Sequence, residues 1–80
     1  MHELRILKDI FEYLAKEEKI SSRTIKKIYV SLSGFGGISE EHFKEYYRKE
    51  SAGTKWENLQ MVIKKIPYGP ELEITRLEFE

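Results

Sequence analysis

Apolar residues at Leu4, Leu7, Ile10/Phe11 and Leu14 recur at i, i+3, i+4 spacing, while Lys8, Asp9, Glu12, Lys16 and Glu17 fall largely off that stripe. The period predicts an amphipathic helix over residues 4–18 with one face in the core. Ser21-Ser22 reads as the connection that follows. The period then changes to two: Ile28, Val30 and Leu32 alternate with Tyr29 and Ser31, predicting a strand over residues 24–32 with one buried face. Ser33-Gly34-Phe35-Gly36-Gly37 breaks it. Ser39 is placed to cap a second helix, with Glu40 and Glu41 complementing its dipole and Ile38 and Phe43 spaced for a hydrophobic staple. That helix should run to Lys49 or Glu50, with Phe43, Tyr46 and Tyr47 on one face.

A second strand is expected over residues 58–66. Leu59, Met61 and Ile63 lie on one face, and Val62 and Ile66 on the other, an arrangement that suits a strand covered on both sides. Pro67-Tyr68-Gly69-Pro70 is a turn, and residues 71–80 make the third strand. Its apolar residues change phase, Leu72 and Ile74 being followed by Leu77 and Phe79. A β-bulge or sharp twist near Thr75-Arg76 is needed to bury both pairs on one face. The order is helix-strand-helix-strand-strand. A strand-helix-strand unit favours a parallel pair, and the short turn predicts an antiparallel hairpin of the last two strands. The expected fold class is α+β: two helices packed on a mixed three-stranded β-sheet, one domain over residues 1–80.

Composition narrows the function. Fourteen Lys and Arg balance fourteen Asp and Glu, for a net charge of zero. No basic field is available to attract phosphates, so no nucleic-acid partner is expected. No apolar run approaches the ~18 residues of a membrane span, and charges at Glu3, Arg5, Lys8 and Asp9 interrupt any signal-peptide core. No membrane partner is expected. Cysteine is absent, which removes disulfides, a thiolate zinc site and a cysteine nucleophile. A cytoplasmic location fits.

Candidate chemistry is concentrated at Met1-His2-Glu3. A free α-amine, the His2 amide nitrogen and the His2 imidazole close two successive chelate rings and present nitrogens in a plane. That donor set suits Ni(II) or Cu(II) rather than tetrahedral zinc. On the triplet alone, a solvated histidine at a frayed terminus and an acid in a first helical turn explain the same residues. The glycine-bearing loop lacks the lysine of a phosphate-binding motif and reads as a turn. His42 reads as solvent-facing, and Tyr46 and Tyr47 as packing residues with wet hydroxyls. Trp56 fits either a core or an exposed position. No nucleophile–base pair stands out, so no enzymatic activity is expected.

Four segments together resemble the HypA/HybF hydrogenase nickel-incorporation family. Met1-His2-Glu3-Leu4 resembles its start. Ile28-Tyr29-Val30-Ser31-Leu32 through Gly37-Ile38 is similar to its first strand and glycine-bearing loop. Glu41, Phe43 and Tyr47 fall where its second helix carries an acid, an aliphatic and an aromatic residue; Gly53-Thr54, Glu57, Met61, Ile63, Ile66 and Pro67 follow without a gap. Gly69, Glu71-Leu72 and Leu77-Glu78 resemble its closing strand. The likeness spans nearly the whole chain, and its specificity lies in the ordered set. The chain departs from the family in two places. The family inserts a zinc module built from two cysteine pairs between its last two strands, and here Pro67-Tyr68-Gly69-Pro70 runs straight on. Ser33-Gly34-Phe35-Gly36 also replaces a more acidic loop.

The resemblance implies a single HypA-like nickel-binding domain without the zinc module: a metallochaperone for [NiFe]-hydrogenase, or another nickel enzyme, working with a hydrogenase maturation GTPase and a nickel-enzyme precursor. It implies Ni(II) at Met1, His2 and Glu3, and no structural zinc. A bulky second residue protects Met1 from removal. Copper would bind the same donors more tightly, so selectivity must come from supply or from the partner. The alternative is a protein-interaction module of the same fold that has lost metal delivery. Oligomeric state stays open, a homodimer through an exchanged terminal hairpin being compatible with the same pairing.

Overall fold

The computed structural model describes residues 2–34 and 38–80, with side chains described from residue 5 onward. Its elements are α1 (His2–Ser21), β1 (Ile25–Ser33), α2 (Glu40–Ser51), β2 (Gln60–Ile66) and β3 (Leu72–Phe79). The chain is an α+β fold with two helices and a mixed three-stranded sheet, in the order expected from the sequence.

Helix α1 buries Leu7, Ile10 and Leu14, the expected stripe, and extends to Ser21. It stops at Ser22, whose φ of 57° leaves the helical region while its N–H still donates to the Glu18 carbonyl at 2.9 Å. This left-handed closure satisfies one of the last-turn carbonyls. Helix α2 is capped as expected: the Ser39 hydroxyl accepts from the His42 N–H at 3.1 Å. Glu40 and Glu41 sit in the first turn and Arg48 and Lys49 in the last, each set matching the dipole end it occupies. Ile38 and Phe43 are both buried in the core, as the staple requires.

The sheet order is β2-β1-β3. Strand β1 pairs parallel with β2 and antiparallel with β3. The expected hairpin of the last two strands is therefore wrong: they run in opposite directions but β1 lies between them. The turn after β2 passes over the end of β1, where the Gly34 N–H donates to the Ile66 carbonyl at 2.9 Å and the Ser33 N–H to the Glu71 carbonyl at 3.2 Å. Two strand spacings are about 10 Å, within reach of a five-residue connection. Gly69 has φ 133°, and a Cβ there would stand 3.1 Å from the Ile66 side chain, so this turn favours glycine. The physical reason for the crossing is burial. Strand β1 carries Ile25, Ile28, Val30 and Leu32, all at most 3 % exposed, and the central position pairs it on both sides.

The phase change in β3 is resolved by the expected irregularity. Tyr29 lies opposite Arg76 and Val30 opposite Ile74, leaving Thr75 as the extra residue, and its hydroxyl donates to the Tyr29 carbonyl at 3.3 Å. Leu72, Ile74, Leu77 and Phe79 consequently all pack against the core. Strand β2 departs from expectation. Met61 and Ile63 pack on the core, but Val62 is 41 % exposed and both helices share their core with the same face of the sheet. The opposite face of β2 is thus uncovered among the described residues.

Candidate functional site

The structure places the backbones of His2 and Glu3 in the first turn of α1; Met1 and the side chains of His2 and Glu3 lie outside the described residues. The first four N–H groups of a helix have no intrahelical acceptor. A metal taking the His2 amide nitrogen would therefore break no helical hydrogen bond. Among the described residues, no three His, Asp or Glu side chains are gathered to hold a metal. His42 is exposed, as expected, and only its backbone is engaged by Ser39. Of the glycine-bearing loop, residues 35–37 lie outside the described residues.

Among the described residues the most buried carboxylate is Glu18, 9 % exposed. It accepts from the Ile25 N–H at 2.8 Å and from the Trp56 indole N–H at 3.4 Å, and it pairs with the Lys55 ammonium. Burial works to raise its pKa, but the hydrogen bonds from Lys55, Ile25 and Trp56, with the Lys55 charge, outweigh it and hold the carboxyl below its ordinary value. Trp56 also stacks on Phe11 at 5.8 Å between ring centroids, so it is a half-buried structural residue. Tyr47 is buried, donating its hydroxyl to the Trp56 carbonyl at 2.8 Å. Burial pushes that phenol up to about 12, so it stays protonated and serves as a strut. Its hydroxyl is thus not the wet one the sequence suggested.

The sheet face away from the helices buries Ser31 and Ser33 and carries the half-buried Tyr29. The Tyr29 hydroxyl donates to the Glu78 carboxylate, and Lys27 and Arg76 lie over its ring at 5.2 and 5.4 Å. The Tyr29 hydrogen bond is the largest influence on Glu78 and lowers its pKa; Lys27, Arg76 and Lys26 act in the same direction. These groups satisfy one another in mixed-charge pairs, which is the arrangement of a solvated face rather than of a reaction centre.

A groove remains. Ile6, Ile10 and Tyr13 of α1 face Leu72 and Ile74 of β3 across a space of about 440 Å³. Asp9, Glu71 and Glu73 supply the rest of its walls. Spacing i, i+4, i+7 puts Ile6, Ile10 and Tyr13 on one helix face. Position 2 precedes Ile6 by one turn on the same face, a rise of about 6 Å. The end of the candidate metal segment therefore adjoins the groove. Sequence reasoning missed this groove, although one signal was present: Ile6 and Tyr13 widen the apolar stripe of α1 to one side, and Tyr13 is 40 % exposed.

No helix among the described residues is long and apolar enough to cross a membrane. No protein-family model matches the chain, and no curated protein matches it.

Proposed function

We propose that this domain is a nickel-binding, metallochaperone-like protein that takes Ni(II) on Met1, His2 and Glu3 and delivers it during maturation of [NiFe]-hydrogenase or another nickel enzyme. The observation that carries the reading is that the backbones of His2 and Glu3 lie in the first turn of α1, where N–H groups have no intrahelical acceptor. The ordered likeness of the four sequence segments to the nickel-incorporation family supports it. The amine, the His2 amide nitrogen and the imidazole supply the planar donors, and Glu3 adds a carboxylate beside them. Nickel is cargo here, and the reading includes no structural zinc and no catalytic chemistry. A maturation GTPase and the enzyme precursor are its proposed partners, and the cytoplasm its proposed compartment.

The amine must lose its proton to bind. Its reference pKa is ~7.7–8.0, so affinity falls as pH falls. Calorimetry with nickel tests the site on four samples: the chain beginning at a free Met1 amine, a tagged terminus, His2→Ala and His42→Ala. The first and last should bind alike, and the tagged and His2→Ala proteins should lose binding. Equal affinity in all four places the metal elsewhere. A second reading, an interaction module without metal delivery, is favoured by the groove between α1 and β3. It predicts no nickel binding by the free-terminus sample at all.

A further inference from the structure

We propose that the groove between α1 and β3 is a docking site for an extended segment of a partner protein, apolar at alternate positions and carrying Lys or Arg between them, which adds to β3 as a fourth strand. The proposal goes beyond the nickel reading and does not depend on it.

Strand β3 is at the edge of the sheet, so one row of its backbone N–H and C=O groups faces away from β1. Such an edge is a template for another strand. Beyond it, α1 overhangs the space that a fourth strand would occupy. Ile6, Ile10 and Tyr13 look across at Leu72 and Ile74 over about 440 Å³. Alternate side chains of an added strand would fill that space, and the intervening ones would emerge on the sheet face away from the helices. The Thr75 bulge interrupts regular pairing, so the usable edge is the stretch before it. That stretch is about four residues or ~13 Å long, which suits a short linear segment.

Charge selects the occupant. Glu73 is exposed and alternates with Leu72 and Ile74, so it stands on the side where the intervening residues emerge and complements a basic strand; Asp9 adds an exposed acid on the α1 wall of the groove. The same charges disfavour a second copy of this chain. Strand β3 and its flanks carry Glu71, Glu73, Glu78 and Glu80 against a lone Arg76. Pairing β3 with its own copy would set acid against acid across the interface, which is destabilising.

The test uses three synthetic eight-residue peptides: alternating Val and Lys, alternating Val and Glu, and the Val–Lys composition with proline at two central positions. Each is titrated into the isotopically labelled full chain, without nickel, and followed by backbone amide shifts. The Val–Lys peptide should shift amides from Leu72 to Ile74, protect those of Leu72 and Ile74, whose N–H groups face the open edge, and shift α1 residues around Ile6 and Tyr13. The Val–Glu and proline peptides should bind at least about tenfold more weakly, the first through like charge and the second through lost strand hydrogen bonds. The double variant Asp9→Lys/Glu73→Lys, altered only at exposed positions, should reverse the preference between the Lys and Glu peptides. His2→Ala should leave all three titrations unchanged, so failure of the nickel site and failure of the groove are separately visible. Shifts confined to the face around Tyr29, or equal binding of the proline peptide, would overturn the proposal. So would a concentration-dependent dimer that protects the β3 edge without peptide.

Discussion

The Glu18 carboxylate accepts the backbone N–H of Ile25 at 2.8 Å, joining the last turn of α1 to the first residue of β1. The same carboxylate meets Trp56 and Lys55, which precede β2. One buried acid thus ties three parts of the chain together at the end of the molecule away from the candidate metal segment. Lys55 is 57 % exposed, so its ion pair contributes little. The bonds to Ile25 and Trp56 carry most of the effect.

The pH dependence follows from the direction of the Glu18 shift. Its folded pKa lies below the ordinary value of 4.5. Its contribution is therefore fully present above that value and is lost as pH falls through the folded pKa. Glu18→Ala should cost about 1–3 kcal/mol at pH 7, since it strands the Ile25 N–H. Urea unfolding at pH 7 and pH 3 measures both. The gap between wild type and variant should narrow at the lower pH; a constant gap would mean the charge on Glu18 does not matter.

Tyr29→Phe removes the hydroxyl that leads the lowering of the Glu78 pKa. The Glu78 carboxyl, followed by NMR through its side-chain carbon, should then titrate at a higher pH than in wild type. As a depressed acid, Glu78 adds stability above its unfolded pKa and loses it as pH falls through the folded one. The variant should show less of that acid sensitivity. An unmoved midpoint would assign the shift to Lys27 and Arg76.

Deleting Thr75 tests the bulge. Without the extra residue, Leu72, Ile74, Leu77 and Phe79 fall on one face of a regularly alternating strand, and Arg76 and Ile74 stay opposite Tyr29 and Val30. All four burials are kept, and the deletion gives up only the bond from the exposed Thr75 hydroxyl to the Tyr29 carbonyl, a loss of about 1 kcal/mol. Thermal unfolding reads this directly. A Tm lower by much more than the ~4–8 °C that 1 kcal/mol is worth in a domain of this size would show that β3 needs the extra residue to bury Leu77 and Phe79.

Folding should be independent of zinc. The chain has no cysteine, and domains that fold on structural zinc unfold when a chelator removes it. Excess EDTA should leave the Tm unchanged. A large drop, with zinc recovered from the purified protein, would require a structural site.

The sequence by itself determined the elements. The stripe of Leu7, Ile10 and Leu14, the Ser39 cap and the alternation through Ile28, Val30 and Leu32 are local patterns, legible because a helix or strand imposes its own period on its own residues. Even the bulge was legible, since the shift from Leu72 and Ile74 to Leu77 and Phe79 permits no regular strand that buries all four. The terminal triplet belongs to the same class: it is three consecutive residues, and its donor set can be read without a fold. What only the tertiary structure decided is which strand stands beside which. The turn at Tyr68-Gly69 serves a hairpin or a crossing equally well locally. The crossing wins because it puts β1, whose Ile25, Ile28, Val30 and Leu32 are all buried, in the middle with partners on both sides. The same decision left β3 at the edge beneath α1 and created the groove from residues about sixty positions apart in the chain. It also brought Glu18 to Trp56 and Tyr29 to Glu78. These contacts depend on burial summed over every element, and no local spacing encodes that sum.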